Sequence, residues 1–581
     1  MKKSILKSID LLLSFNLKKS ISFFIFLLIA ILFETLSVAL ILPLVDIVTS
    51  KEGSDYYDLL QRFNFLKIEN IFLFSLIAFL FIILIKTLYL IFFSWWKNDF
   101  ISELNTSFSS KLFHQYLSKS YLDLSKTDIS IIIRNCWEEV RILTGGLNNL
   151  FLLFVEFLVF SSIIIVLFLY DPKTSIFVFI FFLIIGLSFI YLTKGMITQW
   201  SKTKIFLTSN IIKSINECFG LIKYIRLRNK ENFFFSRFNH SVLRLNKLTR
   251  NLSFTREIPK NILEMIAISS LFFVVLVNLD SNNGVSNNLI SLVAIYAGAA
   301  FRILPAINRI INLVQSFYNY IPSLDILYND LVSKKNQKFF NNLINDNNKF
   351  QFKDIIEFKN VYFKYDDQED YVIENLSLKI NKNDFVCFVG ESGIGKSTLI
   401  DLLTGILIPT KGNIYIDNID TKNILPRYQN IIGIVPQKTH LINDSLLSNI
   451  ILESDEKLKN EKRFNNAIKF AQLEKTIKEI KDGIQYSVGQ DGSSLSGGQG
   501  QRIAIARALY ESPEILVLDE ITSALDSKTS QQLFNCINDL IGKKTLIMVS
   551  HNEDLSKRAD KVFRLTKDQN QTNLIKLYER N

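Results

Sequence analysis

Six long apolar runs occupy roughly the first 320 residues of the 581-residue chain, at 21–48, 71–95, 148–170, 175–194, 258–279 and 289–314. Each reaches the roughly 20 residues that a helix needs to cross a bilayer's hydrocarbon core. No water solvates backbone N–H and C=O groups there, so each run must satisfy its own hydrogen bonds as a helix. The pattern predicts an all-α transmembrane domain of six helices over residues 1–327. Runs three and four are joined only by Asp171-Pro172-Lys173-Thr174, whereas about fifty residues separate runs two and three, and about sixty separate four and five. Structureless loops of that size are uncommon, and 97–146 has helical periodicity, so both connections are expected as helical extensions out of the membrane.

Charge orients the runs. The chain holds 66 Lys or Arg against 55 Asp or Glu, a formal net charge of +11. Twelve of the basic residues lie between Ser201 and Arg256, including Lys223, Arg226, Arg228 and Lys230, while 280–288 has none. Lys and Arg collect on the cytoplasmic flanks of spanning helices, so both long connections and both termini are expected in the cytoplasm. Lys2, Lys3, Lys18 and Lys19 agree, and no small-residue cleavage site follows run one, which reads as an anchor. A basic excess beside apolar runs favours anionic lipid, and no nucleic-acid partner is expected. Cys136, Cys218, Cys387 and Cys536 form no CxxC pair and are expected as reduced thiols.

Past a polar, Asn-rich linker at 328–351, residues 352–581 alternate strand-like and helical runs, as an α/β domain does. Strand-like DFVCFVG leads into Gly390-Glu391-Ser392-Gly393-Ile394-Gly395-Lys396-Ser397-Thr398, and an amphipathic STLIDLLTGIL follows. This is the pattern GxxxxGK[ST] in its required strand-to-helix context. The glycines let the backbone curl so that N–H groups point at phosphate oxygens, Lys396 adds a point charge, and Ser397 offers a hydroxyl to Mg²⁺. Further on, the apolar strand Ile515-Leu516-Val517-Leu518 ends in Asp519 and Glu520, suited respectively to holding Mg²⁺ and to polarising an attacking water. A third motif, Leu495-Ser496-Gly497-Gly498-Gln499, opens the helical run QRIAIARAL, offering a hydroxyl, N–H groups and a positive dipole end to an anion.

These residues together resemble the ABC ATPase family, whose signature is LSGGQ. The resemblance covers the second half and assigns Tyr365 to adenine stacking, Gln437 to the loop that joins the ATP site to the membrane domain, Ser523-Ala524-Leu525-Asp526 to the loop after the acidic pair, and His551 to the γ-phosphate. It implies ATP and Mg²⁺ as cofactors, with Ser397, Gln437 and Asp519 around the metal and Glu520, Gln437 and His551 at the chemistry. In the family the signature of one copy closes over the phosphate loop of the other. One chain carries one of each, so a homodimer is implied. Gly500, Ile521 and Asn552 depart from the residues usual at their positions, but none removes a group with an assigned role. Six runs ahead of one ATPase domain resemble ABC exporter half-transporters, with docking helices expected near Tyr121–Ile129 and within 217–231.

The membrane half is similar to the flippases of lipid-linked oligosaccharides in bacterial N-glycosylation, through FETLSVALILPL in run one, IPKNILE in run five and FRILPAINRI in run six. That resemblance implies a polyprenyl-pyrophosphate-linked glycan as substrate, moved from the inner to the outer leaflet of a bacterial inner membrane; export of another lipid, drug or peptide is the alternative. Counted at ~1.5 Å per residue from the outer ends, Lys86, Lys260, Arg302 and Arg309 share the inner half of the membrane. Charges there need a wet cavity or a partner. A pyrophosphate would serve; so would Glu34, Glu156 and Glu264, or a surface reached by snorkelling. Residues 55–67 suit a short helix on the outer surface.

Overall fold

The computed structural model describes residues 2–15, 17–39, 68–170, 172–277, 287–332, 350–366, 369–453, 460–521, 531, 535, 537–550, 556–568 and 571–579. They form two compact units, Met1–Lys119 with Asp123–Lys338, and Ser120–Leu122 with Phe339–Asn581.

The described residues up to Val332, all but Ser120–Leu122 of them in the first unit, are helical: α1 (Lys2–Phe15), α2 (Leu17–Ala39), α3 (Ile68–Leu117), α4 (Tyr121–Ser125), α5 (Ile129–Arg134), α6 (Val140–Tyr170), α7 (Pro172–Gly220), α8 (Ile222–Arg228), α9 (Glu231–Val277) and α10 (Asn287–Val332). The apolar runs lie on α2, α3, α6, α7, α9 and α10; residues 40–48, 55–67 and 278–279 fall outside the described residues. Among the described residues, Phe79–Leu117 and Ile129–Ser161 are long and apolar enough to cross a membrane, and α1 with the first part of α2, as one bent span, would make three.

Three helices, α3, α7 and α9, run for 50, 49 and 47 residues. At ~1.5 Å per residue each is well over twice as long as the hydrocarbon core is thick, so both long connections are largely helical. The core where α2, α3 and α6 meet is aromatic: the ring centroid of Phe23 lies 5.2 Å from that of Phe100, stacked, and 4.2 Å from that of Phe151. Between α5 and α6 a π-turn, Asn135–Glu139, carries a buried polar cluster. Arg134 donates to Ser209 Oγ at 2.5 Å and to Asn135 Oδ1 at 2.6 Å, and Ser323 Oγ donates to Glu139 at 2.5 Å, so two buried charges are tied to three helices. At its far end α10 continues through 328–332, part of the stretch expected as linker, because Leu327 and Leu331 lie one turn apart and are both buried.

The second unit holds two sheets built from β1 (Ile355–Phe363), β2 (Ile373–Asn381), β3 (Phe385–Val389), β4 (Lys411–Ile416), β5 (Ile419–Asp420), β6 (Ile432–Val435), β7 (Ile515–Asp519), β8 (Thr545–Val549), β9 (Lys561–Asp568) and β10 (Gln571–Glu579). One is antiparallel, ordered β2-β1-β4-β5; the other is ordered β10-β9-β3-β8-β7-β6 and is parallel except for β10. In β3 successive side chains enter different cores: Phe385 and Cys387 join one cluster, Val386 and Phe388 the other. That explains why β3, β7 and β8 read as unbroken apolar runs: both faces are covered. Burial pushes the Cys387 thiol up to about 12. Ser120–Leu122 group with this unit, and Leu122 packs against its core.

Candidate functional site

The carboxyl ends of parallel strands are where loops can converge on a ligand. Three do so here. The chain leaves β3 into the 390–395 loop and re-enters helix at α11 (Lys396–Leu403), leaves β6 into Pro436-Gln437, and leaves β7 at Asp519 into Glu520. The loop needs its glycines: Gly393 has φ +80° and Gly395 φ +109°, where a Cβ is strained. Ser392, Gly393 and Ser397 are exposed, while Lys396 is only 5% exposed. The Lys396 ammonium donates to Gly390 O at 2.8 Å and Glu391 O at 3.1 Å, and stands 3.7 Å from Glu520 Oε1. Gln437 Nε2 donates to Glu520 Oε2 at 2.6 Å. Thus Lys396, Glu520 and Gln437, separated widely in sequence, form one chain of contacts. Glu520 adopts φ +46°, rare for a residue with a side chain, with its N–H bonded to Val549 O at 3.1 Å.

Electrostatics show what the cleft can hold. Burial raises the pKa of Asp519, the Glu520 charge raises it further, and Lys396 opposes both. Asp401, one turn along α11 from Ser397, is pushed up to about 6 by burial and then by Asp519. Carboxylates that discourage one another's ionisation favour a cation among them, so Asp519 and the Ser397 hydroxyl fit Mg²⁺. Tyr365 packs edge-on to Phe363 at 5.1 Å, and its hydroxyl shares a 3.1 Å hydrogen bond with Thr398 Oγ1. His551 and 523–526 lie outside the described residues.

The signature residues begin α13 (Gly497–Tyr510), numbered after α12 (Leu446–Ile451). Ser496 is its N-cap: Gln499 N donates to Ser496 Oγ at 3.3 Å, and Ser496 N donates to Gln499 Oε1 at 2.9 Å. This capping box fixes the helix start and leaves the Ser496 hydroxyl proton unspent. A Cβ built on Gly497 would meet nothing within 4 Å. Sequence reasoning missed Arg507 and Asp401. Arg507 donates to Asn449 O at 2.7 Å, His440 O at 3.0 Å and Asn449 Oδ1 at 3.2 Å, tying α13 to the segment after Gln437. The signal for Asp401 was its i,i+4 spacing from Ser397.

In the membrane unit, Lys86 pairs with Glu34 at 2.8 Å, Arg309 with Glu156 at 2.7 Å, and Lys260 with Glu264 at 4.0 Å. The side chain of Arg302 lies outside the described residues. Each described cation thus faces one of the carboxylates that the sequence offered as an internal partner.

Residues 373–523 match the family model described as ABC transporter. Over 214 residues, 36% of this chain, the protein is 41% identical to a Rickettsia typhi protein whose name describes an export ATP-binding/permease protein, and covers 37% of it. Over 209 residues, also 36% of this chain, it is 39% identical to the alpha-hemolysin translocation ATP-binding protein HlyB of Escherichia coli O157:H7, covering 29% of that chain. The chain therefore spans about a third of the length of the curated relatives it matches. A bacterial Atm1-family ABC exporter with ATP bound has the same fold, with a TM-score of 0.76 over 96% of this chain and 95% of that one at 17% identity. The second half thus carries the ABC transporter match, at residues 373–523, on a chain with the fold of an ABC exporter.

Proposed function

We propose that the protein is an ATP-driven flippase that works as a homodimer in a bacterial inner membrane, moving a polyprenyl-pyrophosphate-linked oligosaccharide from the inner to the outer leaflet. Residues 1–327 would be the six-span domain, with both termini and the ATPase domain in the cytoplasm. The observation that carries this reading is the joining of an ATP site to apolar helices that bear Lys86, Lys260, Arg302 and Arg309 within or beside the apolar runs. Unpaired charge is excluded from hydrocarbon, and an anionic headgroup would give those cations a purpose.

At the ATP site, Lys396 and the N–H groups from Gly390 to Thr398 bind the phosphates. Tyr365 exchanges its bond with Thr398 for the adenine ring, and Ser397, Gln437 and Asp519 would hold Mg²⁺, which would supply positive charge to the phosphates. Glu520, oriented by Gln437 at 2.6 Å, positions the attacking water and draws its proton. His551 attends the γ-phosphate. Ser496, Gly497, Gly498 and Gln499 present a hydroxyl and N–H groups to the nucleotide of the second copy.

A second reading, export of a neutral amphiphile, draws on the pairing of the described cations with carboxylates. Reconstituted wild type should flip a fluorescent lipid-linked glycan when ATP is supplied, and Glu520→Gln should not. The variant Arg302→Gln with Arg309→Gln should lose flipping and cargo-stimulated hydrolysis while keeping its detergent stability. Retained flipping, or collapse of stability with activity, rejects a pyrophosphate carrier.

A further inference from the structure

Arg309 on α10 and Glu156 on α6 form an uneven pair. Arg309 Nε stands 2.7 Å from Glu156 Oε1, the Glu156 side chain is 18% exposed and that of Arg309 53%. The other carboxylate oxygen, Glu156 Oε2, is buried without a hydrogen-bond partner. The carboxylate is held inside with half its capacity unused, while the guanidinium, with five N–H donors, is half open. Lys86 and Glu34 also pair between helices, α3 and α2, at 2.8 Å, but there the cation is the more buried partner, 15% exposed against 28%. Lys260 and Glu264 are more than half exposed and 4.0 Å apart, a weaker contact along one helix.

We propose that Glu156 is the resident counter-ion of Arg309 and competes with the cargo's oxyanion for its guanidinium, so that return of Glu156 expels the headgroup. This rests on the reading of Arg309 as a cargo cation. An unneutralised guanidinium within an apolar run is unfavourable, which explains why an internal anion sits there between cargoes. A pyrophosphate offers several oxygens to the planar guanidinium edge, whereas Glu156 engages it through one. Cargo with a multidentate oxyanion can therefore displace Glu156, and a neutral or singly accepting headgroup gains nothing by doing so. Glu156 acts as a specificity-determining residue on entry. On exit it supplies the differential affinity that a conformational change needs to empty the site.

The test uses the full chain in liposomes, with undecaprenyl pyrophosphate as probe, undecaprenol as the neutral control and inorganic pyrophosphate as the control without a lipid tail. The readout is the probe concentration that half-maximally stimulates ATP hydrolysis. Glu156→Gln should lower it roughly tenfold, the scale of one charge-assisted hydrogen bond, and should reduce the maximal flipping rate because release slows. Neither control should stimulate hydrolysis. An unchanged half-maximal concentration in a stably folded variant overturns the competition, as does a raised one. If Glu156→Gln does not fold, Glu156→Asp takes its place, with the same direction expected from its shorter reach and the same overturning result. A wild type that ignores undecaprenyl pyrophosphate rejects the cargo reading and this inference with it; a responsive wild type beside an unresponsive difference between variants rejects the inference alone.

Discussion

Glu520 shows how far single residues were legible. Its place at the end of an apolar strand, after Asp519, announced acid chemistry, and the structure adds the contacts to Lys396 and Gln437 that no spacing could reveal. Asp401 lay hidden because an acid on an amphipathic helix ordinarily reads as a solvated face. Its raised pKa makes a testable difference. In an unfolded chain the carboxyl titrates near ~4, and in the folded domain at about 6. Below the lower value both states are protonated and nothing is lost. Between the two the unfolded state releases its proton first, so stability falls as pH rises, and above the upper value the whole penalty is present. Asp401→Asn, neutral throughout, should raise the thermal midpoint of the metal-free, nucleotide-free protein at pH ~7.5 by more than at pH ~5. Equal shifts at the two pH values would show that Asp401 carries no such penalty.

Elements were read more securely than their limits. The apolar runs located helices, and the strand-to-helix setting of the phosphate loop was found as expected. What sequence could not show was where helices stop: α10 extends past residue 327 because buried leucines keep its face packed. Nor does local sequence report a tie between elements, and Arg507 is one. Asn449, fully buried, accepts two of its bonds and also bonds the backbone at Ile442 and Ser445. The last turn of α13 and the 440–449 segment, which begins three residues after Gln437, are thereby held by one guanidinium fork. Lysine keeps the charge but cannot span three acceptors. Arg507→Lys should therefore lower kcat for ATP by roughly tenfold, about the value of one hydrogen bond to a charged group, with a smaller change in KM. A lysine variant with wild-type kcat would leave Arg507 a packing role only.

The whole molecule was least legible where function depends on which charges meet. Sequence placed Lys86 and Arg309 at a shared depth but offered two fates for them, because helix rotation about its axis decides whether a cation faces a cavity or a neighbouring carboxylate. The proposed dimer is a larger case of the same difficulty, since nothing among the described residues needs Gly497. Its Cβ position is open, so adding a side chain costs the monomer no contact, and replacing a helical glycine favours the helix by up to ~1 kcal/mol. If a second copy's nucleotide occupies that space, Gly497→Val should abolish ATP turnover while leaving the thermal midpoint unchanged or higher. Lys396→Ala should also abolish turnover, through the phosphate loop. Coexpressed in equal amounts, the two chains pair at random, and half of the dimers are mixed. Each mixed dimer holds one site with both defects and one with neither, so independent sites return about a quarter of wild-type activity. Sites completed within one chain would leave every site damaged in one motif or the other, and mixed dimers isolated by two different tags would then be as inactive as their parents.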